Sequence, residues 1–232
     1  DIEHIAFAAT RKFDGISPRY LSAAEMGQVA GRAGRWQQPG SFGTTADCPP
    51  LEEEMVARIE EHRFDPLLAL FWRNRDLDFR NIRNLLRSLD IPPLRPELIK
   101  ARDVDDVLAL QQLANDELVR HAASGEAQVQ LLWEVCQIPD FRKVMSDHHA
   151  KLLQQIYLDL TSKAGRINPD WASSQISKLN NDEGDIDTLV ARIAHIRTWT
   201  YIAYRGNWLD DSAEWQQQTR LIEDKLSDAL HE

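Results

Sequence analysis

The stretch that decides the fold is residues 21–35, which read LSAAEMGQVAGRAGR. Ser22 and Glu25 have the spacing of a capping box, in which two side chains satisfy backbone amides at a helix start, so a helix is predicted to begin there. An apolar run over residues 2–8 (IEHIAFA) predicts a buried strand before this helix, and residues 41–45 predict a short strand after it. This order of elements indicates a small α/β part.

The rest of the chain is predicted to be almost wholly helical. Residues 67–72 fit either a strand or the start of a helix, and prolines at positions 92, 93 and 96 mark the best candidate linker. Apolar spacing predicts helices over residues 79–89, 103–122, 126–137, 147–163, 170–179, 185–204 and 212–231. The sequence therefore predicts a mainly α protein, with the α/β part in residues 1–95 and an all-helical accessory domain in residues 96–232.

Composition narrows the class of function. The 232 residues carry 27 Lys and Arg against 37 Asp and Glu, and this net charge of −10 argues against a generic basic protein that coats nucleic acid or binds anionic membranes. No apolar run has the length of a membrane span. Cys48, Cys136 and the His148-His149 pair show no metal-ligand spacing, so no metal site is predicted, and the histidine pair is expected at a solvated helix start. The large aromatic side chains of the helical half are interpreted as core.

The chemistry-bearing residues lie in the second half of the opening stretch. On a helix that begins at Ser22, the side chains of Gln28, Arg32 and Arg35 share one face, because they are spaced by four and three residues. Gly31 and Gly34 let another backbone or a ligand approach closely. Guanidinium groups donate bidentately to phosphate oxygens and never deprotonate, so such a row suits a polyphosphate. The alternative is a solvated polar helix face with no ligand.

The same stretch carries a resemblance to a known family. QVAGRAGR, residues 28–35, matches the Q-x-x-G-R-x-G-R pattern of motif VI in superfamily 2 helicases of the DExH-box type. The flanking FAATRKFDG (7–15) and GSFGTTA (40–46) resemble the mitochondrial RNA-degradosome helicase and its alphaproteobacterial relatives, and residues 68–89 and 131–143 are similar to the region after motif VI in the bacterial members. The resemblance implies that the α/β part is a remnant of a second RecA-like lobe.

The resemblance also implies roles for individual residues. Gln28 would lie near the γ-phosphate of ATP and the attacking water, and Arg32 and Arg35 would contact the phosphates, with Arg35 as the arginine finger. Gly31 and Gly34 belong to the same nucleotide-facing segment. ATP and Mg²⁺ are the cofactors implied for the full-length enzyme. The 232 residues contain neither the GxxxxGK[ST] loop nor a DExH box, so we expect a piece of a longer polypeptide that binds no cofactor and is inactive alone.

Partners follow from the same resemblance. The family implies RNA or DNA as substrate and the N-terminal helicase lobe of the same chain as the other half of the ATP site. Mitochondrial relatives work with an exoribonuclease, which makes such an enzyme a candidate partner, and no membrane is expected. The likeness to bacterial members favours the cytoplasm, with the mitochondrial matrix as the alternative.

Charge is distributed unevenly along the chain. From residue 63 to 102 nine basic residues oppose five acidic ones, whereas from 103 to 134 seven acidic residues oppose only Arg120. Arg80, Arg83 and Arg87 are predicted to share a helix face that could track a nucleic-acid backbone, or that simply keeps the helix solvated. The competing class of function is a non-enzymatic helical protein-interaction module.

Overall fold

The fold is that of a computed structural model, which describes residues 2–13, 17–34, 38–101, 104–141 and 147–231. Contacts divide the chain into two compact units, Asp1–Ala69 and Leu70–Glu232, referred to below as the α/β unit and the helical unit. Most of the regular structure is helical and the strands are short. The prediction of a mainly α protein with a small α/β part is therefore confirmed.

The α/β unit is organised around a β-α-β crossover. Strand β1 (His4–Phe7), helix α1 (Ala23–Ala30) and strand β4 (Ser41–Thr44) follow in this order, and β1 pairs in parallel with β4. A parallel pair requires a crossover connection, which α1 supplies. Strands β2 (Arg11–Phe13) and β3 (Pro18–Tyr20) form a separate antiparallel pair before α1, and helix α2 (Glu53–Glu60) follows β4.

The core of this unit is small. Met26 and Ala30 of α1 are buried together with Phe7 of β1 and Ile59 of α2. The prediction that β1 is a buried strand is wrong for most of its length, since Phe7 is its one buried residue. The physical reason is that β1 has a single hydrogen-bonded neighbour in the described sheet, which leaves much of the strand uncovered.

The helical unit opens with a second parallel pair of strands. Strands β5 (Leu70–Trp72) and β6 (Leu98–Lys100) are a parallel pair, with helix α3 (Ile82–Leu89) between them in the chain. Of the ambiguous residues 67–72, the last three therefore form a strand, and residues 67–69 are irregular. The remaining helices are α4 (Asp105–Leu113), α5 (Glu117–Ala122), α6 (Glu126–Cys136), α7 (Asp147–Thr161), α8 (Pro169–Ser177), α9 (Ile186–Ala203) and α10 (Ser212–His231). The single helix predicted over 103–122 is wrong, because Asp116 caps a new helix by accepting a hydrogen bond from the Val119 amide at 3.0 Å.

A large continuous core holds the helical unit together. Its fully buried side chains include Leu85, Leu110, Leu132, Leu153, Ile156, Tyr157, Ile176, Ile196, Ile202 and Leu226. Trp133, Trp199 and Trp208 are buried as predicted, but Tyr204 is half-exposed, and its hydroxyl accepts a hydrogen bond from Arg220. The expectation that His149 is solvated is also wrong: the ring is buried, and its Nε2 lies 3.2 Å from the Ile138 carbonyl oxygen.

The division between the units differs from the boundary predicted at residues 95 and 96. Helix α3 packs with the core of the helical unit, and β5 pairs with β6, so residues 70–95 lie with the helices that follow them. The proline-rich stretch thus connects α3 to β6 within one unit. Among the helices of the described ranges, none combines the length and the apolar character needed to cross a bilayer.

Candidate functional site

The start of helix α1 is fixed by the capping box that the sequence predicts. The Ser22 hydroxyl accepts a hydrogen bond from the Glu25 amide at 3.3 Å, and the Glu25 carboxylate accepts one from the Ser22 amide at 2.9 Å. Two of the amides that have no partner inside the helix are satisfied in this way. The box fixes where the motif-bearing helix begins.

Glu25 also clamps the preceding strands to this helix. Its carboxylate accepts two hydrogen bonds from the Arg19 guanidinium, at 2.7 and 2.8 Å, and lies 2.6 Å from Lys12 Nζ. These donors, Arg19 first, hold the pKa of Glu25 well below its usual range. Because Lys12 lies on β2 and Arg19 on β3, one carboxylate joins three elements around the start of α1.

Helix α1 ends earlier than the motif does. The last helical residue is Ala30, and Gly31 caps it by donating to the Gly27 carbonyl at 2.9 Å. The Arg32 and Ala33 amides then bond back three residues, which is a tight turn and not a continued α-helix. The prediction that residues 28, 32 and 35 project from one helix face is therefore wrong for Arg32, which lies in the turn after the helix.

Gly34 directs the backbone after this turn. Its φ of +75° lies in the left-handed region that glycine occupies without strain. Its amide donates to the Ile2 carbonyl at 2.7 Å, at the beginning of the strand segment. A Cβ at this position would lie 2.6 Å from both the Gln38 oxygen and the Gly40 nitrogen, so the close approach that Gly34 permits is to the protein's own backbone.

The polar side chains of the motif point away from the core. Gln28 and Arg32 are exposed, and neither has a hydrogen-bond or ion-pair partner among the residues that the structure describes. Val29, the apolar residue that follows Gln28, is also 38% exposed. Arg35, the predicted arginine finger, lies outside the described residues. The structure thus places an amide and a guanidinium beside a glycine turn, both able to bind an external acceptor.

The three arginines predicted on α3 do not act as one row. Asp78, just before the helix, accepts hydrogen bonds from Arg80 Nε at 2.9 Å and from Arg80 Nη2 at 2.5 Å. This pairing lowers the pKa of Asp78 to about 2. Arg80 therefore lies before α3 and is paired with Asp78. Arg83 and Arg87 lie on the helix itself, one turn apart, and are exposed.

Arg83 and Arg87 line a groove of about 1010 Å³ in the helical unit. Arg73, Lys100 and Arg120 contribute to the same lining, and sequence reasoning missed all three as functional candidates. The signal available was the excess of basic residues from 63 to 102, but Arg120 stands alone in an acidic stretch. These cations lie together only because the tertiary fold places residues of α3, α5 and β6 around the same groove.

The residues that the structure describes contain no cluster of three His, Cys, Asp or Glu side chains able to hold a metal ion. The guanidinium of Arg32 only donates hydrogen bonds and suits phosphate oxygens, and the NH₂ group of the Gln28 amide can donate to the same kind of acceptor. The chemistry that this part of the molecule offers is therefore recognition of an anion.

Comparison with known proteins gives one informative likeness. The chain is similar to the ATP-dependent RNA helicase SUV3, mitochondrial, of Oryza sativa subsp. japonica, with 32% identity over 127 residues. The match covers 50% of this chain but only 22% of that protein's length. No family model matches the chain. The likeness confirms the resemblance to an ATP-dependent helicase that the sequence indicates.

Proposed function

We propose that this chain is the C-terminal part of an ATP-dependent nucleic-acid helicase, with residues 28–35 serving as motif VI. The observation that carries the proposal is the motif pattern together with the likeness to a named helicase. Residues 28–35 (QVAGRAGR) match the pattern of motif VI, and the chain is similar to a protein named as an ATP-dependent RNA helicase. Gln28 and Arg32 are exposed and have no partner among the described residues, which supports the proposal, because a motif that meets ATP across two lobes must present its donors outward.

Each motif residue has a role that its chemistry can perform. The Gln28 amide can both donate and accept hydrogen bonds, which suits the orientation of a water beside a phosphate. Arg32 and Arg35 donate to phosphate oxygens, and Arg35 acts as the finger that stabilises charge developing in the transition state. The turn that begins at Gly31 positions Arg32, and the ion pairs of Glu25 fix the helix that precedes this turn.

ATP and Mg²⁺ belong to the whole enzyme in this proposal. When bound, ATP supplies the phosphoryl group whose transfer drives lobe movement. The donors of the motif fit its phosphates, but the described residues offer no carboxylate cluster for Mg²⁺. The N-terminal lobe would supply the GxxxxGK[ST] loop and the acidic box, both missing from these 232 residues. The isolated chain is accordingly proposed to hydrolyse no ATP.

The substrate and location are proposed from the relative. RNA is the first substrate to test, because the similar protein is named as an RNA helicase, and DNA is the alternative. That protein is mitochondrial, which supports the matrix, whereas the resemblance to alphaproteobacterial members favours the cytoplasm. An exoribonuclease remains a candidate partner. Contact of Arg80, Arg83 and Arg87 with a nucleic-acid strand is the alternative to the groove's use proposed below, and the oligouridine probe described there tests it.

A second candidate function is a helical protein-interaction module without enzymatic activity. The basic groove of the helical unit and the net charge of −10 favour it, since neither requires an ATP site. The coding sequence upstream of Asp1 distinguishes the two functions. The helicase proposal requires a phosphate-binding loop and a DExH box there, and a frame without them would refute it.

The activity test uses the polypeptide that carries both lobes. We expect it to separate an RNA duplex in the presence of ATP and Mg²⁺, and not with a non-hydrolysable analogue, while the 232 residues alone turn over no ATP. Duplex separation that is equally fast without ATP, or ATP hydrolysis by the isolated chain, would contradict the proposal.

A further inference from the structure

The groove of the helical unit has an aliphatic floor and a cationic rim. Ile82, Leu86 and Leu89 of α3 face it from one side, and Val107 and Leu108 of α4 face it from the other. All five side chains are only half-buried. The floor is therefore apolar surface left open to solvent between two helices, in a cavity of about 1010 Å³.

Two of the cations on the rim, Arg73 and Lys100, form ion pairs with carboxylates of the same unit. Arg73 donates to both carboxylate oxygens of Asp106, at 2.9 and 3.1 Å, and Lys100 pairs with Asp90, which also lines the groove. Arg73 lies over the Trp133 ring at 5.6 Å. These two side chains fix the geometry of the rim, and their charges are balanced by neighbouring carboxylates.

The other three cations on the rim are not paired with a carboxylate of the described residues. Arg83, Arg87 and Arg120 are exposed, and none has an ion-pair or hydrogen-bond partner within the described part of the chain. Arg83 and Arg87 are one helical turn apart on α3, and Arg120 is on α5. The groove therefore combines an uncovered aliphatic floor with three guanidinium groups that have no partner among the described residues.

We propose that this groove binds an acidic amphipathic helix of a partner protein. Aliphatic side chains at helical spacing would cover the floor, and carboxylates on the flanking positions would pair with Arg83, Arg87 and Arg120. A nucleic-acid strand fits less well. Its phosphates would suit the arginines, but the described lining contains no aromatic ring on which bases could stack. The proposal does not depend on the assignment of the motif VI residues.

The test uses the 232-residue chain and a fluorescein-labelled model peptide of about 16 residues, long enough for about four helical turns. Its sequence repeats Glu and Leu at the spacing of an amphipathic helix. Three further probes isolate the contributions. One peptide has Lys in place of every Glu, one has Ser in place of every Leu, and the last probe is a single-stranded oligouridine of similar length.

We expect binding of the Glu-Leu peptide, measured by fluorescence anisotropy, and binding at least about tenfold weaker for both altered peptides. The double substitution Arg83→Glu, Arg87→Glu should weaken Glu-Leu binding by about tenfold or more. Lys151→Glu with Lys163→Glu is the matched control, because it changes the net charge equally at exposed positions outside the groove. The control should bind like the parent chain. Circular dichroism shows that each variant folds.

Three results would overturn the proposal. Equal loss of binding in the control variant would mean that affinity follows net charge and not the groove. Binding of oligouridine that depends on Arg83 and Arg87, with none of the acidic peptide, would assign the groove to nucleic acid. Self-association of the chain that disappears in the Arg83, Arg87 variant would assign it to a second copy.

Discussion

Replacing Gly34 with alanine should destabilise the α/β unit strongly, and the size of the effect follows from two features of the site. The residue has a φ of +75°, and an L-residue in this left-handed region costs about 1–2 kcal/mol. The new Cβ would also lie 2.6 Å from the Gln38 oxygen and the Gly40 nitrogen. Both are backbone atoms that cannot rotate away, so relieving the overlap adds about 1–3 kcal/mol.

The expected loss is therefore about 2–5 kcal/mol, a large part of the roughly 5–15 kcal/mol that stabilises a typical domain. The suitable measurement is amide hydrogen exchange by mass spectrometry across a urea series, because peptides from residues 1–69 and 70–232 report on the two units separately. Gly34→Ala should lower the unfolding midpoint of the α/β unit by about 1 M urea or more. The helical unit should be unaffected.

Two other glycines supply matched controls. Gly43→Ala should be close to neutral, because its nearest neighbour outside the strand is the His4 ring at 3.7 Å and its φ is ordinary. Gly165→Ala, in the helical unit, should cost about 1–2 kcal/mol, since its φ is +64° but nothing lies within 4 Å of the new atom. A loss below about 0.5 kcal/mol for Gly34→Ala would refute the argument from backbone contact.

Further predictions concern charge, packing and a buried hydroxyl. Glu25→Gln keeps the capping geometry but removes the charge. Since the folded pKa of Glu25 lies below the unfolded value of about 4.3, its contribution to the stability of the α/β unit should be complete above about pH 5 and should be lost progressively as the pH falls below about 4. The variant should show a shallower acid dependence in urea titrations over that range, and an equally steep one would contradict the role of the charge. Leu85→Ala, at a fully buried site on α3, should cost about 2–5 kcal/mol in thermal or urea unfolding, whereas Leu118→Ala, 61% exposed, should cost less than about 1 kcal/mol; equal costs would contradict the assigned core. Tyr157→Phe removes a hydrogen bond of 3.1 Å to the Gln128 carbonyl and should cost about 1 kcal/mol, and an unchanged unfolding midpoint would contradict its contribution.

Local signals in the sequence identified the starts of elements well. The capping box at Ser22 and Glu25 is visible as a four-residue pattern, and the structure contains both of its hydrogen bonds. The path of the chain after the same helix involves a partner distant in sequence, because Gly34 bonds to Ile2. Periodicity alone therefore extended α1 through the motif and placed Arg32 on a helix face where it does not lie.

The groove shows the same limit on a larger scale. Arg83 and Arg87 could be grouped from their spacing of four residues, but Arg120 lies on another helix and joins them only through packing. Asp116 is another instance: the apolar spacing runs through it, so one helix was predicted where its side chain caps a second. Side-chain competition for backbone amides, not hydrophobic pattern, decides such breaks.

The central claim is that residues 28–35 act on ATP, and Arg35→Ala in the two-lobed polypeptide tests it most directly. The steady-state rate of ATP hydrolysis and the affinity for a fluorescent ATP analogue are measured on the same preparation. We expect the hydrolysis rate to fall by about 10³-fold or more while the affinity changes little, because the finger acts on transition-state charge. Arg63→Ala, which removes an exposed arginine paired with Glu61 in the same unit, should leave both unchanged. Full turnover by the Arg35→Ala protein would contradict the assignment of this segment as motif VI.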